Sequence, residues 1–88
     1  MIVSNNELSN SGIKVFPNPT IDKIHIVAEN LSNAEVQLIN PLGHSLISSN
    51  FSQQVELDMS NYTTGVYLVV IKLKDQVWTK RIVKRFGN

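Results

Sequence analysis

The sequence predicts an all-β domain, a small antiparallel sandwich of about seven short strands. Three observations carry that expectation. Short apolar-rich runs recur at even spacing, with Gly, Pro, Asn and Ser clusters between them. Several runs alternate polar with apolar residues, the period of a half-buried strand. No stretch carries the capped apolar stripe that marks a helix.

The run that organises the rest is Gly65-Val66-Tyr67-Leu68-Val69-Val70-Ile71, uncharged until Lys72. β-Branched and aromatic residues suit a pleated, packed surface. The absence of clean alternation predicts a central strand buried on both faces. The run is too short to cross a membrane as a helix, which needs about 20 apolar residues.

The other elements follow in chain order. Ser4 to Gly12 is small and polar, and reads as a linker. Ile13 to Phe16 is a short strand stopped by Pro17-Asn18-Pro19, a segment for a sheet edge or a crossing between sheets. Asn18 is expected to bond its own backbone and hold the bend. The prolines could also keep an edge open for a partner strand. Lys23 to Val27 and Glu35 to Ile39 are half-buried strands. Asn40-Pro41-Leu42-Gly43 has the residues of a type I turn, and Ser45 to Ser48 returns as its hairpin partner. Val55, Leu57 and Met59 share one face of the next strand. Ser60 to Gly65 is the corner into the central strand, and Val77 to Lys84 is the last strand.

With 88 residues the chain makes one domain. Hydrophobic residues at 42% suffice for one core, while charged residues at 17% are few. A net charge of +1 gives no electrostatic case for nucleic acid. Without cysteine there is no disulfide, thiolate metal site or cysteine nucleophile. Met1-Ile2-Val3 does not begin a signal peptide. The chain is then either cytoplasmic or a domain of a longer precursor.

Catalytic constellations are missing from the pattern. His25 lies on the polar phase of its strand, and no third ligand joins it and His44 at metal-site spacing. Asp22, Asp58 and Asp75 sit at turns or strand ends, where carboxylates cap amides. Tyr67, just past a corner, is expected to bond back to the loop it left. Gly65 is expected to supply a backbone angle closed to other residues. Trp78 reads as a core or rim anchor before a sugar platform. Lys80, Arg81, Lys84 and Arg85 are the one concentration of charge, either a solvated edge or a docking surface for an acidic partner.

Taken together these pieces resemble one family. Phe16-Pro17-Asn18-Pro19 is similar to its aromatic-Pro-Asn-Pro signature, and Asn40-Pro41-Leu42-Gly43-His44 to its second turn. Leu57 to Leu68 is similar to its acidic-Leu-Ser corner leading into Gly-x-Tyr, and Lys80 to Lys84 to its closing Lys-x-x-x-Lys. The family is the type A C-terminal sorting domain of the type IX (Por) secretion system of Bacteroidetes, and the resemblance runs from about Ile13 to Lys84. His44 stands where a permanent cation is common, Phe16 replaces the usual Tyr, and Arg85 to Asn88 extend past the closing Lys.

The resemblance implies an immunoglobulin-like sandwich over residues 13–88, preceded at 1–12 by a linker from a cargo domain. It implies passage through the periplasm, then delivery to the cell surface or medium as part of a larger precursor. The implied partners are the outer-membrane translocon and a sortase-like cysteine peptidase that removes the domain. No cofactor, metal, nucleic acid or transmembrane segment is implied, and the domain is not an enzyme. Expected translocon-recognition residues are Pro17, Asn18, Pro19, Gly65, Tyr67, Lys80, Arg81 and Lys84. The rival reading is a non-catalytic adhesion or carbohydrate-binding sandwich, which needs an exposed aromatic platform at Trp78 or Tyr62. A small hydrolase is the other rival, and it needs a titrating cluster in a pocket.

Overall fold

A computed structural model describes residues 12–29 and 31–86. The expected linker falls outside these residues except for Gly12. Seven strands follow in order: β1 (Lys14–Phe16), β2 (Lys23–Ala28), β3 (Ala34–Ile39), β4 (Ser45–Phe51), β5 (Gln53–Asp58), β6 (Gly65–Leu73) and β7 (Gln76–Lys84). They form two antiparallel sheets, a three-stranded β1-β2-β5 and a four-stranded β4-β3-β6-β7. This is the predicted sandwich, with the all-β, immunoglobulin-like class intact.

Alternation builds the core. Ile24, Ile26 and Ala28 of β2 and Leu57 of β5 face Ala34, Val36 and Leu38 of β3 and Tyr67, Val69 and Ile71 of β6, all buried. Trp78 and Ile82 of β7, with Met59 past β5, close the sides. A one-residue slip in any of these strands would turn its apolar set to solvent, so the register is strongly specified.

β6 is the interior strand of its sheet, as expected, between β3 and β7. Burial on both faces is narrower than its composition suggests. On the outward side only Val70 is buried, screened by its cross-strand neighbours Gln37 and Thr79, while Val66 and Lys72 are exposed. Among the described residues there are two layers, and none of them forms a third above that face.

Two connections position the rest. The β3–β4 hairpin closes at Asn40–Gly43: the Gly43 amide donates to the Asn40 carbonyl at 2.9 Å. The Asn40 side chain accepts the amides of Leu42 and His44 at 3.0 and 2.9 Å. The β4–β5 connection is different. Ser52 alone separates these strands, yet they belong to opposite sheets. Gln53 adopts φ 72°, its amide donates to the Leu31 carbonyl at 3.0 Å, and Ser52 Oγ accepts the Asn33 amide at 3.1 Å.

Candidate functional site

The strand ends sort into two poles. At one lie Leu31 to Asn33, Ser52 and the Leu73–Gln76 turn, with the start of β1 near the end of β2. At the other lie the Pro-Asn-Pro segment, the Asn40–Gly43 turn, the Ser60–Thr64 corner and the end of β7. Most pieces of the sequence signature therefore meet at the second pole, the one farther from the start of β1.

The Pro-Asn-Pro segment forms a clasp. β7 is an edge strand, and an edge offers unpaired amides and carbonyls. Asn18 meets that edge with its side chain: Nδ2 donates to the Arg81 carbonyl at 3.1 Å, and Oδ1 accepts the Val83 amide at 3.0 Å. Thr20 continues as a parallel bridge to Lys84, its amide donating to the Val83 carbonyl and its carbonyl accepting the Arg85 amide, both at 2.8 Å. The expectation that Asn18 bonds its own backbone is thus corrected: its partners lie more than 60 residues away. The segment covers the end of β7 instead of holding it open. Pro17 and Pro19 suit this place because neither has an amide to leave unpaired.

Thr20 escaped the sequence reading. It is 1% exposed, and its hydroxyl donates to the Lys23 carbonyl at 2.7 Å while accepting the Asp22 amide at 3.2 Å. The signal was a hydroxyl on a β-branched residue straight after a proline, where the chain resumes pairing.

The corner is held as expected. The Tyr67 hydroxyl donates to the Thr63 carbonyl at 2.6 Å, and its ring stacks on Tyr62 with centroids 6.0 Å apart. Gly65 has φ 155°, and a Cβ there would meet Pro41 Cγ at 3.1 Å, so corner and hairpin turn touch where glycine stands. Asp58 Oδ1 accepts the Ser60 amide at 2.9 Å. That bond first, then the Ser60 hydroxyl, hold the carboxyl below the usual aspartate range; loss of water opposes them, and the nearby Lys23 charge adds least.

The basic residues do not form one patch. Lys80 and Arg81 are exposed, but Lys84 is 5% exposed, with Nζ donating to the Arg85 carbonyl at 3.1 Å. Lys84 shares the inward phase of Trp78 and Ile82, and its stem is covered while its ammonium finds a carbonyl. Trp78 is buried, so it is no sugar platform. Tyr62 is half-buried. His25 and His44 are both exposed, and His25 stacks on Phe16 at 5.5 Å. Among the described residues no three His, Cys, Asp or Glu side chains gather as a metal site.

Two clefts flank the corner. One of about 420 Å³ lies between the hairpin turn and the corner, lined by Pro41, Leu42, Leu46, Tyr62 and Tyr67 among others. The second, about 630 Å³, lies between the corner and the β7 end, with Ile21, Lys84 and Phe86 in its wall. Asn61, Tyr62 and Thr63 border both.

The chain is similar to known proteins. Residues 14–85 match the family described as secretion system C-terminal sorting domain. The chain is also similar to ulvan lyase NLR42 of Nonlabens ulvanivorans, with 30% identity over 67 residues. That match covers 74% of this chain but 12% of the lyase. A family match running from the first strand through the clasped end of the last makes the chain a member of the C-terminal sorting domains of the type IX (Por) secretion system.

Proposed function

We propose that this domain acts as a non-catalytic address: the outer-membrane translocon binds it, and a sortase-like cysteine peptidase then cuts it from a cargo joined ahead of residue 13. The observation that carries the reading is the family match over the whole folded span, residues 14–85. On this reading the precursor crosses the periplasm and delivers its cargo to the cell surface or the medium. The cut falls in the polar stretch 1–12, so that the clasp and the sandwich are left whole.

The residues divide by role. Asn18, Gly65, Tyr67 and Lys84 shape the recognised end, because they are engaged within the fold, while Pro17 and Pro19 are exposed on either side of Asn18 and set the path of the clasp. Lys80 and Arg81 are free to meet the translocon and to steer the encounter, the usual contribution of rim charges.

A reporter fused between a signal peptide and residues 1–88, expressed in a type IX-competent host, tests the reading. Export to the surface or medium is expected, and retention in the periplasm refutes it. The exported reporter should have lost the domain by mass. An intact exported fusion would remove the peptidase from the scheme and leave the address. Lys80→Ala with Arg81→Ala should slow export at an unchanged melting temperature.

A further inference from the structure

Exposed large hydrophobics are normal when scattered singly. Here they are gathered. Among the described residues every one except Val77 lies at or near the pole where the signature motifs meet. Leu42 and Phe86 are each 80% exposed and Ile21 is 56% exposed, and each lines one of the two clefts. Four of the exposed hydrophobics, Leu42 and Leu46 in the first cleft and Ile21 and Phe86 in the second, stand beside concave surface, where exposed apolar groups mark an interaction site.

The chemistry of the first cleft narrows the partner. Its wall is Asn40, Pro41, Leu42, Leu46, Asn61, Tyr62, Thr63 and Tyr67, with no Lys, Arg, His, Asp or Glu. No side chain in it offers an opposite charge to a carboxylate or an ammonium, and the apolar part of the wall (Pro41, Leu42, Leu46 and the tyrosine rings) favours an uncharged group over an ion that must shed water to enter. The cleft is also set in advance. Asn40 caps the turn, Pro41 rests against Gly65, and Tyr67 ties down Thr63. Preorganised walls lower the ordering cost of binding. The start of β1 lies toward the other pole, so the cleft stands away from the point where the chain enters the sandwich.

We propose that this cleft is where the translocon grips the domain, and that it takes an uncharged apolar side chain from a protein segment of the export machinery. Leu42 packs beside that side chain. This rests on the sorting reading above and names the chemistry of its partner. Lys80 and Arg81 then steer the approach, and the cleft holds the complex.

The test uses the exported reporter fusion with Leu42→Ser, Leu42→Arg and Leu42→Asp, and with a photo-crosslinking amino acid at position 42. All three substitutions should cut export about tenfold or more, the loss expected for a central apolar anchor. The melting temperature of the purified domain should hold, because Leu42 is 80% exposed on a turn capped by Asn40. Crosslinking should give an adduct with an identified outer-membrane component of the export machinery. Normal export of Leu42→Ser overturns the proposal, and so does higher export of Leu42→Arg, which would mean that the group seated in the cleft is acidic. Adducts confined to a second copy of the chain, to lipid or to glycan overturn it as well. Failure of the unsubstituted fusion to leave the periplasm sinks the sorting reading itself, a result separate from any effect at position 42.

Discussion

Tyr67 is 2% exposed, and its hydroxyl reaches the Thr63 carbonyl at 2.6 Å. Tyr67→Phe keeps the packing and removes the bond, so it should cost about 1–2 kcal/mol. In a domain this small each kcal/mol lowers the melting temperature by about 4–8 °C, which calorimetry would register. No shift would mean that the corner does not depend on the bond. Gly65→Ala is expected to cost about 1–3 kcal/mol, because φ 155° disfavours a side chain and Pro41 Cγ stands 3.1 Å from the new methyl. At Asp58 the folded-state pKa is lowered, so the cap's contribution is present above the unfolded pKa and is lost as pH falls through the folded one. A carboxyl titration by NMR should find Asp58 below an ordinary aspartate. Ser60→Ala should raise that midpoint only partway, since the backbone amide is the larger cause and remains.

The clasp belongs to the scale of the element. An asparagine side chain carries a donor and an acceptor, and Asn18 uses both on β7. Asn18→Asp keeps the acceptor for the Val83 amide but sets a carboxylate oxygen against the Arg81 carbonyl. It should destabilise the domain by about 1–3 kcal/mol and speed hydrogen exchange at Val83 before the interior amides of β6. Uniform protection along both strands would show that the clasp is dispensable. The sequence announced that a strand stops at Phe16, since two prolines leave no other course. Which strand the segment then meets was not legible, because Asn18 reaches residues far along the chain. Lys84 teaches the same lesson. Its charge suggested solvent, but its place in the alternation of β7 put its stem beside Ile82.

For the whole molecule the controlling quantity is a thin margin. A domain of this size holds about 5–10 kcal/mol, and Ile71 is fully buried between the sheets. Ile71→Ala should cost about 2–5 kcal/mol, much of the total, and should move the urea midpoint sharply while leaving the slope unchanged. A small change would mean that the core closes over the cavity. The half-exposed pair of Lys23 and Glu56, 3.9 Å apart, offers little in compensation.

What the sequence determined by itself was local. Alternation in β2, β3 and β5 set which residues face inward, and Asn40-Pro41-Leu42-Gly43 set a tight turn. These follow from backbone sterics and from the period of a pleated strand, which need no distant partner. The order of its motifs also marks the family. Tertiary structure alone decided that the chain changes sheets at Ser52, that Asn18 and Thr20 seal the edge of β7, and that the turn, the corner and the C-terminal end share one pole. Those outcomes depend on contacts between residues far apart in the chain. Such pairings are selected by packing the two sheets face to face, and no short window of sequence carries that information.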